Sequence, residues 1–310
     1  MHNDEYASRS VVVPHVRAMR ENVYGVHTHY VEAGEGEPVI LVHGGGPGAS
    51  GASGWGRLLP LLSGEFRVLA IDLLGSGYSD KPLVDYSFQT LVDHVAGFID
   101  VLGLSRVRLV GNSQGAYVAM KYALDHPARV RQVGVIATGT LATAVGLRDG
   151  GHALPLPRFD GSRASLEDFL RLIVNDPRHL SDRLVDARYD VASLPGHREM
   201  LDSLWDYRRL LVQDSDQQQV FSVRERLAQL SVPWTMIWGA DDRTAPLASL
   251  GTGMRELYPE VPFHVVEGAG HQAQTDAPQE VADVLLAFFR SVGVMEGQGQ
   301  RPEVADTWAK

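Results

Sequence analysis

The chain contains no cysteine among its 310 residues. That excludes disulfides, cysteine-ligated metals and a thiol nucleophile. Long apolar runs are also missing, and none approaches the roughly 20 residues needed to cross a bilayer. Residues 1–5 are polar and acidic, without the basic start and apolar core of a secretory leader. A cytoplasmic protein with no membrane partner is the expectation. Basic residues are the minority charge, 28 Lys and Arg against 38 Asp and Glu, so the net charge is -10. An acidic chain of this kind argues against nucleic acid as a partner. Apolar residues are plentiful: at 44% they suffice for a sizeable buried core.

Apolar strand-like runs alternate with helical patterns along the first half of the chain. Residues 11–13 and 23–32 read as two strands, and Pro38-Val39-Ile40-Leu41-Val42 as a strand buried on both faces. A glycine-rich loop follows, from His43 to Gly54, and 55–62 reads as a helix. Strands at 66–71, 107–110 and 130–137 and a helix at 91–102 continue the rhythm. Between 141 and 229 the strands stop and helical patterns take over, at 166–174, 180–187 and 199–211. Strands return at 232–238 and 263–266, with helices at 247–257 and 278–291. The expected organisation is a core in two parts, 1–140 and 231–294, with an inserted helical cap at 141–230. Residues 295–310 are expected to be a disordered tail. The fold class is α/β, a mostly parallel central sheet with helices on both faces.

Gly111-Asn112-Ser113-Gln114-Gly115 lies between the strand at 107–110 and a helix-like segment. Strand, G-x-S-x-G, helix is the context of a nucleophile elbow. Glycines two residues either side of the serine let backbone pass where a side chain would collide. Ser113 is thereby placed at a helix N-terminus, whose N–H groups favour an oxyanion. A serine hydroxyl needs a base, and the base an orienting acid. In this topology the order is Ser, acid, His, each in a loop after a strand. The strand ending at Trp238 leads to Gly239-Ala240-Asp241-Asp242-Arg243, so the acid comes from the Asp241/Asp242 pair. The strand ending at Val266 leads to Glu267-Gly268-Ala269-Gly270-His271, which makes His271 the base. The loop His43-Gly44-Gly45-Gly46-Pro47-Gly48 and the N–H of Gln114 are the candidate oxyanion hole. His27 and His29 share a strand face, but no third metal ligand is evident and no metal is expected.

These pieces together resemble the α/β-hydrolase fold over residues 10–294. More narrowly, the chain is similar to the meta-cleavage product hydrolases, which split carbon–carbon bonds in vinylogous 1,5-diketones. The matching segments are His43–Ala49, Gly111-Asn112-Ser113, Trp238–Arg243, Gly270-His271 and, in the cap, Leu184-Val185-Asp186-Ala187-Arg188-Tyr189. The resemblance implies that Asp242 takes the acid position, with Gly45, Gly46 and Gln114 forming the oxyanion hole. It implies that Arg188 binds the substrate's carboxylate and 2-oxo end, and that Asn112 lies near the dienol oxygen. It implies no metal or organic cofactor, a small-molecule substrate, and a homodimer or higher assembly. The chain departs from the family pattern at Gln272, Gln114, the inserted Gly51-Ala52-Ser53-Gly54, and Arg57. All four are expected to touch or border the pocket and to alter the substrate rather than the mechanism.

The implied activity is serine-dependent cleavage of a 2-hydroxy-6-oxo-dienoate by Ser113, His271 and Asp242. The alternative is an ester or lactone hydrolase on the same residues. A ligand-binding receptor on this fold is a different class, and a broken triad would have pointed to it. Epoxide hydrolase and haloalkane dehalogenase chemistry is disfavoured, because those relatives carry Asp at the position of Ser113.

Overall fold

The computed structural model describes residues 6–298, with side chains described to residue 291. The chain opens with two long strands, β1 (Ala7–Arg17) and β2 (Asn22–Ala33), paired antiparallel. Six shorter strands follow: β3 (Pro38–Val42), β4 (Arg67–Ile71), β5 (Val107–Asn112), β6 (Val130–Ile136), β7 (Trp234–Gly239) and β8 (Phe263–Val266). These pair in parallel, and β2 joins β4 antiparallel, giving the order β1-β2-β4-β3-β5-β6-β7-β8.

The central strands are apolar because both of their faces are covered. Val39 and Leu41 point into one apolar cluster, and Ile40 and Val42 into another on the opposite face. That alternation is the two-residue period of a strand. Each such side chain contributes about 1.5–3 kcal/mol on burial. The helices on the two faces are α1 (Gly51–Trp55), α2 (Leu59–Leu62), α3 (Phe88–Val101), α4 (Gln114–Asp125) and α5 (Gly139–Ala144) from the first part of the chain. Residues 55–62 are not one helix. The glycine-rich insert before Trp55 is itself helical, because Ser50 and Ser53 form a reciprocal capping box at its start. Pro60 then has to lie in the first turn of a new helix, where its missing N–H costs nothing.

The inserted stretch carries α6 (Arg163–Ile173), α7 (Asp182–Ala192), α8 (His197–Gln213), α9 (Ser215–Phe221) and α10 (Arg224–Leu227). Leu166, Phe169, Leu170, Ile173 and Val185 make an apolar cluster of their own. The flanks of the stretch do not belong to it. Leu141 on α5 and Met200, Leu204, Tyr207 and Phe221 on α8 and α9 pack into the main core. The inserted stretch thus packs partly on itself and partly against the main core. The core resumes with α11 (Thr252–Leu257), α12 (Ala273–Asp276) and α13 (Pro278–Gln298). α13 runs through the first residues of the expected disordered tail, and 299–310 lie outside the described residues. No described helix is long and apolar enough to cross a membrane.

Candidate active site

β5 ends at Asn112 and α4 begins at Gln114, so Ser113 alone makes the turn. Its backbone sits at φ 56° and ψ -123°, which residues other than glycine rarely adopt. Packing sustains that strain. Ser113 N–H donates to Ile136 O at 3.0 Å. A Cβ on Gly111 would lie 2.3 Å from Gly115 O, and one on Gly115 would lie 2.2 Å from Val42 O. Both obstacles are backbone, so glycine is required at both positions, as the spacing predicts.

Asp242 stands in the loop after β7 and His271 in the loop after β8. Of the acid pair, Asp242 is the residue that reaches the ring: His271 Nδ1 donates to Asp242 Oδ2 at 2.7 Å. That contact puts the proton on Nδ1 and leaves Nε2 as the basic atom. Asp242 Oδ1 is held by Thr244 N–H and Ala245 N–H, each at 2.8 Å, and by the Thr244 hydroxyl at 3.1 Å. Asp241 is exposed and accepts from Asn175 Nδ2 at 3.1 Å instead.

Ser113 and His271 open on one cavity of about 330 Å³. Their side chains do not hydrogen-bond to each other, and such contacts are commonly long outside a Michaelis complex. The N–H groups of Gly45, Gly46 and Gln114 donate to no acceptor among the described residues. Gln114 N–H is in the first turn of α4, where helical N–H groups have no internal partner. His43 steadies the glycine loop, donating from Nδ1 to Gly44 O at 2.7 Å and accepting Leu73 N–H on Nε2 at 3.1 Å. Burial lowers its pKa and keeps the ring neutral, as this donor–acceptor pattern needs. A hydroxyl, a carboxylate-oriented imidazole and free N–H donors in one cavity suit attack on a carbonyl carbon.

Residues 37–278 match the family model described as alpha/beta hydrolase fold. The chain belongs to the α/β-hydrolase fold family. It is 30% identical to the 2-hydroxy-6-oxo-2,4-heptadienoate hydrolase of Pseudomonas putida, over 81% of this chain and 88% of that protein. It is also 30% identical to the same species' 2-hydroxy-6-oxononadienedioate/2-hydroxy-6-oxononatrienedioate hydrolase 2, over 88% of this chain and 94% of that protein. The solved meta-cleavage product hydrolase CumD matches with a TM-score of 0.74 at 28% identity, over 93% of this chain and 100% of that one.

Within this α/β-hydrolase the remaining predicted residues divide. Asn112, Gln114 and Gln272 line the cavity. Asn112 Nδ2 donates to His271 O at 2.9 Å and to Ile136 O at 3.2 Å, while its Oδ1 is buried without a partner. Gln272 N–H donates to Ile173 O of the cap at 2.9 Å. Arg57 corrects the expectation: it does not line the cavity, because its guanidinium is taken by Thr275 O at 2.5 Å. Arg188 is also not on the cavity wall. It is 1% exposed and donates from Nε and Nη2 to Pro47 O at 3.1 and 2.8 Å. It has no carboxylate partner among the described residues, its guanidinium lies 5.9 Å from the Phe169 ring centroid, and burial lowers its pKa to about 10.

Two further residues carry contacts that the sequence reading missed. Asp276 accepts Gly270 N–H at 2.8 Å, Asn175 N–H at 2.9 Å and Asp176 N–H at 3.0 Å, clamping a cap segment to the His271 loop. Nothing local in the sequence announces it. Arg208 on α8 lines the cavity and donates to Gln114 Oε1 at 3.2 Å. A signal for it existed: it follows Leu204 by four residues, which puts a cation beside the apolar stripe of the helix.

Proposed function

We propose that this α/β-hydrolase cleaves the carbon–carbon bond of a 2-hydroxy-6-oxo-dienoate. The observation that carries this reading is Asn112. It lines the cavity of Ser113 and His271 and keeps a buried acceptor, Oδ1, without a partner. A simple ester offers that acceptor nothing, whereas the 2-hydroxyl of a dienol is a donor. The similarity to dienoate hydrolases over more than four-fifths of the chain supports the same substrate class.

Ketonisation moves the 2-hydroxyl proton to C5, with His271 as the shuttle. Ser113 Oγ then attacks C6 as His271 Nε2 takes its proton. The N–H groups of Gly45, Gly46 and Gln114 hold the resulting oxyanion. The C5–C6 bond breaks, and its electron pair passes through the conjugated chain to the 2-oxygen. That oxygen takes the proton from the imidazolium, giving the 2-hydroxydienoate. Water, deprotonated by His271, releases the acyl group from Ser113 as a carboxylic acid. Asp242 orients the imidazole throughout. Arg188 supplies an uncompensated positive charge behind the glycine loop, which favours binding of the dienoate carboxylate. Gln272, one of the departures from the family pattern, makes the cavity wall beside His271 more polar.

The test is a comparison of kcat/KM for a 2-hydroxy-6-oxo-dienoate and for p-nitrophenyl esters. The dienoate is expected to be turned over far better. An equal or inverted preference would reject the carbon–carbon assignment and leave an ester or lactone hydrolase on the same residues.

A further inference from the structure

Four guanidinium groups at or beside the candidate site have no carboxylate partner among the described residues; Arg148 and Arg198 are exposed, and the other two are buried or half-buried. One of these two is Arg188, behind the glycine loop. The other is Arg208, on the cavity wall. The partners of Arg208 are neutral: Gln114 Oε1 at 3.2 Å and the rings of Trp205 and Phe88, with centroids at 5.2 and 5.7 Å. The carboxylates that share the wall are already engaged. Asp149 accepts Ala153 N–H at 2.9 Å, and Asp202 pairs with Arg158 at 3.4 Å. Desolvation lowers the Arg208 pKa to about 10, so the group is still a cation at neutral pH. Arg208 is half-buried, and a cation partly withdrawn from water without a counter-charge is unfavourable; an incoming carboxylate relieves that cost. A dienoate with a single carboxylate neutralises one of the two arginines and leaves the other.

The neighbours of Ser113 indicate which half of the substrate each arginine meets. Asn112, on one side, donates to the backbone of His271. Proton transfer during ketonisation requires the dienoate half to face that imidazole. Gln114, on the other side, turns its amide over the glycine loop, where a Cβ on Gly45 would lie 2.6 Å from its Oε1. The same oxygen accepts from Arg208. Arg208 is therefore tied through Gln114 to the Gly45 part of the glycine loop, whereas the Asn112 amide oxygen faces Gly44. We infer that Arg208 is a specificity-determining residue that binds a second carboxylate, carried on the acyl half of the substrate. This assignment rests on the proposed carbon–carbon hydrolysis for the identity of the two halves.

The experiment uses two matched substrate pairs on the full chain. In the first, two 2-hydroxy-6-oxo-dienoates differ only in whether the acyl chain ends in a carboxylate or a methyl group. In the second, the p-nitrophenyl monoester of adipic acid is compared with p-nitrophenyl hexanoate. The expected result is a preference for the acid-terminated member of both pairs. Arg208→Gln is expected to cut that preference on the order of 10- to 100-fold, and Arg208→Lys to keep part of it. Turnover of the methyl-terminated members reports that each variant is folded. Absence of a preference in the unaltered protein overturns the assignment. So does an equal loss on both members, which would make Arg208 a strut for Gln114. If the dienoates are not cleaved but the ester pair shows the Arg208-dependent preference, the carbon–carbon reading falls and the carboxylate site stands.

Discussion

In the core half of the cavity, Ser113, Asp242 and His271 follow the ends of parallel strands, and each is held by a hydrogen bond to or from a main-chain group. Ile136 O fixes Ser113, two N–H groups fix Asp242, and the Asn112 amide fixes the His271 carbonyl. In the cap half, Arg208 projects from a helix, with Arg188 from a second helix just behind the wall. Their side chains donate hydrogen bonds to Pro47 O and Gln114 Oε1. The core half places reacting groups with the rigidity of the sheet. The cap half places charges that single substitutions can change without disturbing a strand. On the proposed roles, chemistry is anchored where backbone is fixed, and substrate choice sits where side chains are free to vary.

The comparison is broken most severely by Ser113→Ala. A loss in kcat of about 10^4-fold or more on a dienoate is expected. Labelling by a fluorophosphonate should disappear with it. Near-full turnover would mean that His271 acts as a base without a covalent step.

Asp276→Asn tests the seam between the halves. One amide oxygen cannot replace the carboxylate that receives Gly270, Asn175 and Asp176 N–H together. The expected loss is about 10- to 100-fold in kcat/KM, equal across substrates, with a lower unfolding midpoint. A change in substrate preference instead would move Asp276 from the seam to the selecting half.

For Arg188→Gln the expected change is about a 10-fold rise in KM for acidic dienoates, with neutral esters moved less. Equal effects on both would leave Arg188 as a strut between α7 and Pro47.

The smallest effect is on pH stability, and it involves one histidine from each region. Burial lowers the pKa of His94 in the core to about 3 and that of His197, which accepts Gly48 N–H from the cap side, to about 4. Both folded values lie below the ordinary 6.5. The stability they contribute is complete above about pH 6.5 and is lost as pH falls towards 4. Thermal unfolding at pH 5 should occur roughly 5 °C below that at pH 7. No change in the midpoint would show that these rings are solvated.

How much of this was legible in the sequence depended on distance along the chain. The elbow was readable because Gly111, Ser113 and Gly115 meet the same few backbone atoms around one turn. His271 was readable because a glycine-flanked loop after a late strand has one destination in this topology. Asp241 and Asp242 could not be separated by position alone, since adjacent residues differ only in which side of the loop they face. The helix at 55–62 was misread because the Ser50–Ser53 capping box lies before Trp55 and Pro60 begins a new turn. Arg57 was expected to touch or border the pocket, yet its long side chain finds Thr275 O, which no spacing rule reveals.

The sequence by itself determined the α/β alternation, the elbow and the positions of His271 and the Asp241/Asp242 pair. Each of these follows from local periodicity or from steric demands within a few residues. The tertiary structure alone decided that Asp242 meets His271, that Arg57 turns away, and that Asp276 and Arg208 join the site. Those contacts link the sheet to segments docked from elsewhere in the chain. Their geometry exists only once the cap has packed over the strand ends, and no pattern of neighbouring residues encodes it.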